Sequence, residues 1–159
     1  MSSSVLPKPS SSLSRQLFLA WIPTALWLAM IGGFSTDTFS SVHTGDILMK
    51  IIHAVYGPIS HQAFTLVHAY VRKAAHFTVY GILSVLAFYS WRASLPARLR
   101  WTFKWSGLAL ALTLVAACLD EFHQSFVPSR TASPRDVLLD MMGAMFVQIV
   151  IASFTEQRS

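Results

Sequence analysis

Residues 74–91 read AAHFTVYGILSVLAFYSW, and this stretch contains no Asp, Glu, Lys or Arg. Arg72 and Lys73 precede it, and Arg92 follows it. An α-helix rises about 1.5 Å per residue, so these 18 positions cover about 27 Å, close to the roughly 30 Å of hydrocarbon in a bilayer. The stretch therefore predicts a membrane-spanning helix at about residues 72–91.

Three further apolar blocks without charged residues occur at residues 16–36, 105–119 and 141–155. The first is long enough to span, whereas the other two must extend into charged neighbours, which gives spans at about 101–121 and 136–155. Over the whole chain 53% of residues are hydrophobic, only 12% are charged and the mean hydropathy is +0.51. This composition excludes an ordinary soluble domain, which carries about 25% charge.

The predicted fold class is all-α: a polytopic membrane protein with a four-helix transmembrane bundle and an extra amphipathic interfacial helix. Residues 46–56 form the extra helix, because their apolar side chains recur at helical spacing. Gly57 ends it. Ser60 is placed to cap a new helix that begins at His61 and continues into the second span.

The connection 92–104 orients the bundle, because it carries four basic residues and no acidic one. By the positive-inside rule it lies in the cytoplasm, and both chain termini then lie there too. Residues 1–15 are predicted to be a disordered cytoplasmic tail and residues 16–159 a single domain. Since the basic residues flank the apolar blocks, they indicate topology, and we expect no nucleic-acid partner. A cleaved signal peptide is the competing interpretation of the first block, but the block is longer than the apolar core of most signal peptides and lacks a clear A-x-A cleavage site.

Polar side chains concentrate at the outer end of this bundle. Helical spacing puts Arg72, His76 and Tyr80 on one face of the second span. Ionisable groups inside a bilayer are costly and usually face the bundle interior, so this concentration predicts a functional site. The candidate site residues are Arg72, Lys73, His76, Tyr80, Asp120, Glu121, Gln124, Arg130, Asp136 and Asp140, of which Arg130 is expected to clamp an anion from the loop 127–134.

Several of these residues also have structural interpretations. Asp136 follows Ser133 by three positions and would complete a capping box at the start of the fourth span. Arg72 and Lys73 would serve as interfacial anchors. Glu121 would face lipid headgroups, since it lies on a different helix face from its acidic neighbour.

A metal site on one helix is excluded by distance. His61, His68 and His76 are seven or eight residues apart, about 10 to 12 Å along the axis, which is too far for one zinc ion. A divalent cation held by His76, Asp120 and Asp136 across helices stays an alternative, but no diagnostic spacing supports it, and the prediction is no metal and no cofactor.

Three segments resemble the VanZ-like membrane proteins. They are Val71-Arg-Lys-Ala-Ala-His-Phe-Thr-Val-Tyr-Gly-Ile-Leu83, Leu119-Asp-Glu-Phe-His-Gln-Ser-Phe-Val-Pro-Ser-Arg130, and Ser133-Pro-Arg-Asp136 with Asp140-Met-Met-Gly143. The resemblance marks ten family signature positions: Lys73, His76, Tyr80, Asp120, Glu121, Gln124, Arg130, Asp136, Asp140 and Gly143. At position 140 many relatives have asparagine where this chain has aspartate.

The resemblance implies a bacterial cytoplasmic membrane protein associated with resistance to glycopeptide antibiotics, chiefly teicoplanin. Membrane lipids, a lipid-linked cell-wall precursor and a glycopeptide are the partners that it implies, because the antibiotic's target lies at the outer membrane face. It supplies no biochemical mechanism.

Three functional hypotheses stay open. In the first, an outward-facing polar site binds a lipid phosphate or a cell-envelope headgroup through Arg72, Lys73 and Arg130. In the second, a membrane enzyme acts on a lipid-linked phosphate. Asp120 or Asp136 would then be the general base, His76 a general acid or base, and Arg130 the stabiliser of phosphate charge. In the third, the polar cluster only locks helix packing.

Overall fold

The computed structural model describes residues 11–35, 41–94, 103–127 and 132–156, and within these ranges all regular structure is α-helical. Four of its helices are long and apolar enough to cross a membrane, and only the second is not. The predicted all-α, four-span architecture is therefore confirmed. The helices are α1 (Ser11–Phe34), α2 (Ser41–Tyr56), α3 (His61–Ser94), α4 (Phe103–Gln124) and α5 (Pro134–Glu156).

The boundary between α2 and α3 follows the sequence signals. Gly57 has a φ of +81°, a conformation that L side chains rarely adopt, and its N–H donates to the carbonyl of His53. Ser60 caps α3, since its Oγ accepts the N–H of Ala63 at 3.2 Å. At 34 residues α3 is about 50 Å long, so its first turns extend beyond the hydrocarbon and support α2.

The helix ends differ by a few residues from the predicted spans. α1 begins at Ser11, inside the segment predicted to be a tail, and residues 1–10 lie outside the described ranges. α4 continues to Gln124, one turn beyond the predicted end of the third span. The chain stays helical past the apolar window because the polar side chains of this turn have partners within the bundle.

α3 is the central helix and contacts each of the other four. Its closest neighbour is α5, where a Cβ atom added to Gly143 would overlap the carbonyl group of Phe77. Gly81 lies on the same contact, with the carbonyl oxygen of Gly143 at 3.4 Å from its ideal Cβ position. Small residues let two helix backbones approach in this way, and the contact fixes the register of α3 against α5.

The half of the bundle that contains Ser94 is held by uncharged hydrogen bonds. We call the side chains that make them the neutral layer: Thr24, Ser84, Ser90, Ser94 and Gln148. Thr24 Oγ1 and Ser90 Oγ are 2.8 Å apart and join α1 to α3. Gln148 Nε2 donates to Ser84 Oγ at 2.8 Å and joins α5 to α3. These bonds hold α1 and α5 against α3 without a buried charge.

Candidate functional site

The polar side chains of the opposite half of the bundle converge between α3, α4 and α5. We call them the charged cluster: His76, Tyr80, Asp120, Glu121, Gln124 and Asp140. Tyr80, Gln124 and Asp140 are buried, and Asp140 has no exposed surface. The cluster therefore lies inside the bundle rather than against lipid.

His76 and Asp140 form the link between α3 and α5. His76 Nδ1 lies 3.1 Å from Asp140 Oδ1. With Asp140 ionised, Nδ1 carries the proton and donates, which fixes the orientation of the ring. Among the described residues the structure gives Nε2 of His76 no hydrogen-bond partner.

Asp120 is the centre of a second group of hydrogen bonds, between α3 and α4. Its Oδ2 accepts from the hydroxyl of Tyr80 at 3.0 Å and from Nε2 of Gln124 at 2.8 Å. Its Oδ1 is buried and has no partner among the described residues. A buried carboxylate oxygen without a donor is costly, so this atom has capacity for a further hydrogen bond.

Glu121 faces the connection between α4 and α5. It is only 7% exposed, and its Oε2 accepts the backbone N–H of Ser133 at 2.7 Å. The interpretation that Glu121 faces lipid headgroups is therefore wrong. Ser133 does cap α5, with its Oγ accepting the N–H of Arg135, but Glu121 rather than Asp136 binds the N–H of Ser133. Asp136 is half-buried in the first turn of α5.

A cavity of about 300 Å³ adjoins the charged cluster and is lined by residues of the first four helices. The lining combines polar and apolar side chains, and α3 contributes both kinds. The polar lining comprises Ser35, His68, Arg72, His76, Tyr80, Asp120 and Gln124, and the apolar lining Ile31, Phe34, Leu48, Val71, Ala75 and Val79. Arg72 is half-buried there.

The other two predicted cationic ligands are Lys73 and Arg130. Lys73 is exposed and does not border the cavity. Arg130 lies outside the described residues. Of the two predicted cationic ligands that the structure describes, Arg72 lines the cavity and Lys73 does not.

His68 lines the cavity but is missing from the predicted site. Its Nε2 is buried without a hydrogen-bond partner among the described residues, and its ring stacks on Phe64 and packs under Gly45 of α2. The signal was present in the sequence, because His68 precedes Arg72 by four positions and so extends the stripe of positions 72, 76 and 80 by one turn. Its contact with α2 could not be read from spacing.

A second cavity, of about 350 Å³, lies between α1 and α4. Ser35 lines both cavities, and its Oγ is 3.0 Å from Nδ1 of His123. Asp120 also lines both. In the described part of the chain, no three His, Cys, Asp or Glu side chains come together as ligands for one metal ion.

The arrangement can bind polar groups of both signs beside an apolar surface. Arg72 offers a guanidinium for an anion, and Asp120 offers a carboxylate oxygen for a donor. Asp140 holds the His76 ring in place from outside the cavity. Pockets of this volume with a few convergent polar groups are typical of ligand sites.

Comparison with known proteins identifies one family. The family model described as VanZ/LLP1 matches residues 18–155, nearly the whole chain. No curated protein and no solved structure matches the chain at a significant level. The match covers all four membrane-spanning helices and every residue of the charged cluster. This chain is therefore a multi-pass membrane protein that belongs to the VanZ/LLP1 family.

Proposed function

We propose that the protein binds the phosphate-bearing headgroup of an amphiphile in the cavity beside the charged cluster. The observation that carries this proposal is the mixed lining, in which Arg72, His76 and Asp120 lie among aliphatic and aromatic side chains. A headgroup with an attached apolar chain matches both kinds of side chain at once. A free ion would leave the apolar side chains hydrated.

Arg72 is the anion-binding residue of this proposal. It is half-buried, so a guanidinium–phosphate pair there is shielded from bulk water and is stronger than on an open surface. His76 lies one turn, roughly 6 Å along the axis, deeper on the same face. Because Asp140 holds Nδ1, Nε2 is the nitrogen that can reach the ligand.

The link to glycopeptide resistance follows from the family. A lipid-linked cell-wall precursor has the required chemistry, with phosphate groups beside a long apolar chain. We place the cavity at the outer face of the bacterial cytoplasmic membrane, with the 92–104 connection and both termini in the cytoplasm, because that connection is rich in basic residues.

Cysteine labelling tests the orientation. In a Cys118→Ser background, Arg92→Cys is expected to react with an impermeant maleimide only after the cells are permeabilised, whereas Tyr56→Cys is expected to react in intact cells. Both side chains are exposed in the structure. The side of the membrane on which each residue lies therefore decides whether the impermeant reagent can reach it. The reverse labelling pattern would place the cavity on the cytoplasmic side of the membrane and contradict the proposal.

Lipid binding by the purified protein tests the site. Native mass spectrometry compares phosphatidic acid with diacylglycerol of the same chains, so that only the phosphate differs. We expect phosphatidic acid to be retained and Arg72→Gln to weaken its binding about tenfold or more, since a charge-assisted hydrogen bond contributes about 1.5 to 3 kcal/mol.

Lys73→Gln is the matched control, because it removes the same charge from the neighbouring exposed position. Equal losses in Arg72→Gln and Lys73→Gln, or no difference between the two lipids, would contradict the proposal. Turnover of a labelled polyprenyl phosphate that is lost in His76→Ala would favour the enzyme hypothesis instead.

A further inference from the structure

Two polar residues of the cavity lining each have a buried atom without a partner. Among the buried side-chain atoms of the described residues that lack a hydrogen bond, only His68 Nε2 and Asp120 Oδ1 belong to residues that line the cavity of about 300 Å³. His68 begins the stripe on α3 that continues with Arg72 and His76, and Asp120 of α4 meets the end of this stripe through Tyr80. A ligand that occupies the cavity must therefore satisfy two positions of different chemistry.

Asp120 Oδ1 sets the stricter requirement. A carboxylate oxygen can only accept a hydrogen bond, and the two donors nearest to it, Tyr80 and Gln124, are already bound to Oδ2. A phosphate oxygen placed against Oδ1 would be repelled. The group that meets Asp120 must therefore carry an N–H or O–H donor.

The part of the stripe formed by Arg72 and His68 suits a hydrogen-bond acceptor on the ligand rather than a donor. Arg72 has five N–H donors and no acceptor, and His68 Nε2 is one turn further out, beneath α2. This part suits the phosphate. From the two parts together we infer that the ligand carries an ammonium or hydroxyl donor within a few bonds of its phosphate, with the donor at Asp120 and the phosphate at the end of the long Arg72 side chain, which His68 adjoins from the next turn.

This inference rests on the proposed function and narrows it to one class of headgroup. Phosphoethanolamine and phosphoglycerol groups belong to the class, and phosphocholine does not, because its nitrogen carries three methyl groups and no N–H. His68 becomes a binding residue of the site. The same chemistry occurs in lipid headgroups and in free phosphate esters.

The test compares two lipids of equal charge. Phosphatidylethanolamine and phosphatidylcholine with identical chains are titrated against the full-length protein in detergent, and binding is measured by native mass spectrometry. We expect wild type to prefer phosphatidylethanolamine about tenfold, since one hydrogen bond to a charged group contributes about that factor. Asp120→Asn is expected to reduce this preference to about one.

Two further variants complete the test, the first as a control and the second as a probe of the phosphate position. Asp46→Asn removes an exposed carboxylate from α2 and is expected to leave the preference unchanged. His68→Phe keeps the stacking on Phe64 but removes the nitrogen, and it is expected to weaken both lipids about fivefold without changing their ratio. His68→Phe keeps the test decisive if Asp120→Asn fails to fold.

Soluble competitors distinguish the source of the headgroup. Displacement of the lipid by phosphoethanolamine but not by phosphocholine assigns the site to a soluble ester, and no displacement by either assigns it to a lipid; both results support the inference. Equal binding of the two lipids, with the Arg72 dependence intact, overturns the inference and leaves the proposed function standing. Absence of phosphatidic acid binding overturns the proposed function itself.

Discussion

The charged cluster and the neutral layer lie in the same bundle and both join helices to α3, yet they are built differently. In the neutral layer Ser90 Oγ bonds to Thr24 and to the carbonyl of Ala20, and Trp21 donates to Ser94. No carboxylate takes part. In the charged cluster the bonds are made by ionisable groups on three helices.

The two regions also differ in what they leave unpaired. Within the described residues the neutral layer leaves one amide oxygen, Oε1 of Gln148, without a partner. The charged cluster leaves three carboxylate oxygens, on Asp120, Glu121 and Asp140, and both cavities adjoin it. Burying a carboxylate oxygen without a donor costs more free energy than burying an amide oxygen without one. Hydrogen bonds in the neutral layer serve packing, whereas the charged cluster has unused binding capacity that packing does not explain.

The largest expected effect comes from the contact that sets α5 against α3. Gly143→Leu should destabilise the protein by about 3 kcal/mol or more, because its side chain would meet the backbone of Phe77, which cannot rotate away. The change separates the helices that hold His76 and Asp140, so it disrupts the charged cluster. Thermal unfolding of the purified protein in detergent measures the loss of stability.

Gly107→Ala is the matched control, since nothing lies within 4 Å of the added Cβ. We expect a change within about 1 kcal/mol, set by helix propensity alone. Equal effects of the two glycine variants would show that the α3–α5 contact does not position the charged cluster.

The next largest effect comes from comparing two hydrogen-bonded pairs that join α5 to α3, one with ionisable groups and one neutral. Asp140→Leu leaves His76 without its partner and should cost about 3 kcal/mol. Gln148→Leu, two turns deeper, removes bonds to Ser84 and should cost about 1 kcal/mol or less. Chemical unfolding of both variants in the same detergent provides the comparison. If Asp140→Leu were as stable as Gln148→Leu, the charged cluster would be ordinary packing.

The sequence predicted those features that depend on one helix at a time. A charge-free window placed α3, the Gly57 and Ser60 signals placed its start, and i, i+4 spacing placed His76 and Tyr80 on one face. The pairing of His76 with Asp140 could not be read in this way. Spacing fixes the face of a helix but not its register against a neighbour, and here the register depends on a backbone contact.

Other parts of the site depend on tertiary position in the same sense. The position of Glu121 on a different face from Asp120 left open whether it belongs to the site or faces lipid headgroups, and the turn before α5 decides this by bringing the N–H of Ser133 to it. His68 was missed because its burial comes from α2, which folds back over it. Lys73 has the same charge as Arg72 and differs only in the face that it occupies.

A smaller effect is expected inside the charged cluster. Tyr80→Phe removes one of the two donors to Asp120 Oδ2 and keeps the buried ring, so it should cost about 1.5 kcal/mol. Thermal unfolding measures the loss. Because Asp120 would then have one donor fewer, the ligand should also contribute more to the stability of this variant than to wild type. An unchanged stability would show that the hydroxyl is not needed to hold the carboxylate.

The smallest effect belongs to the neutral layer. Thr24→Val keeps the shape of the side chain and removes its bond to Ser90, which still has the carbonyl of Ala20 as a partner. Interhelical hydrogen bonds of this kind average about 0.6 kcal/mol in membranes, so thermal unfolding should shift only slightly and lipid binding should not change. A loss as large as that of Tyr80→Phe, or a change in headgroup preference, would mean that the two regions act as one network. The division of the bundle into a packing half and a binding half would then be wrong.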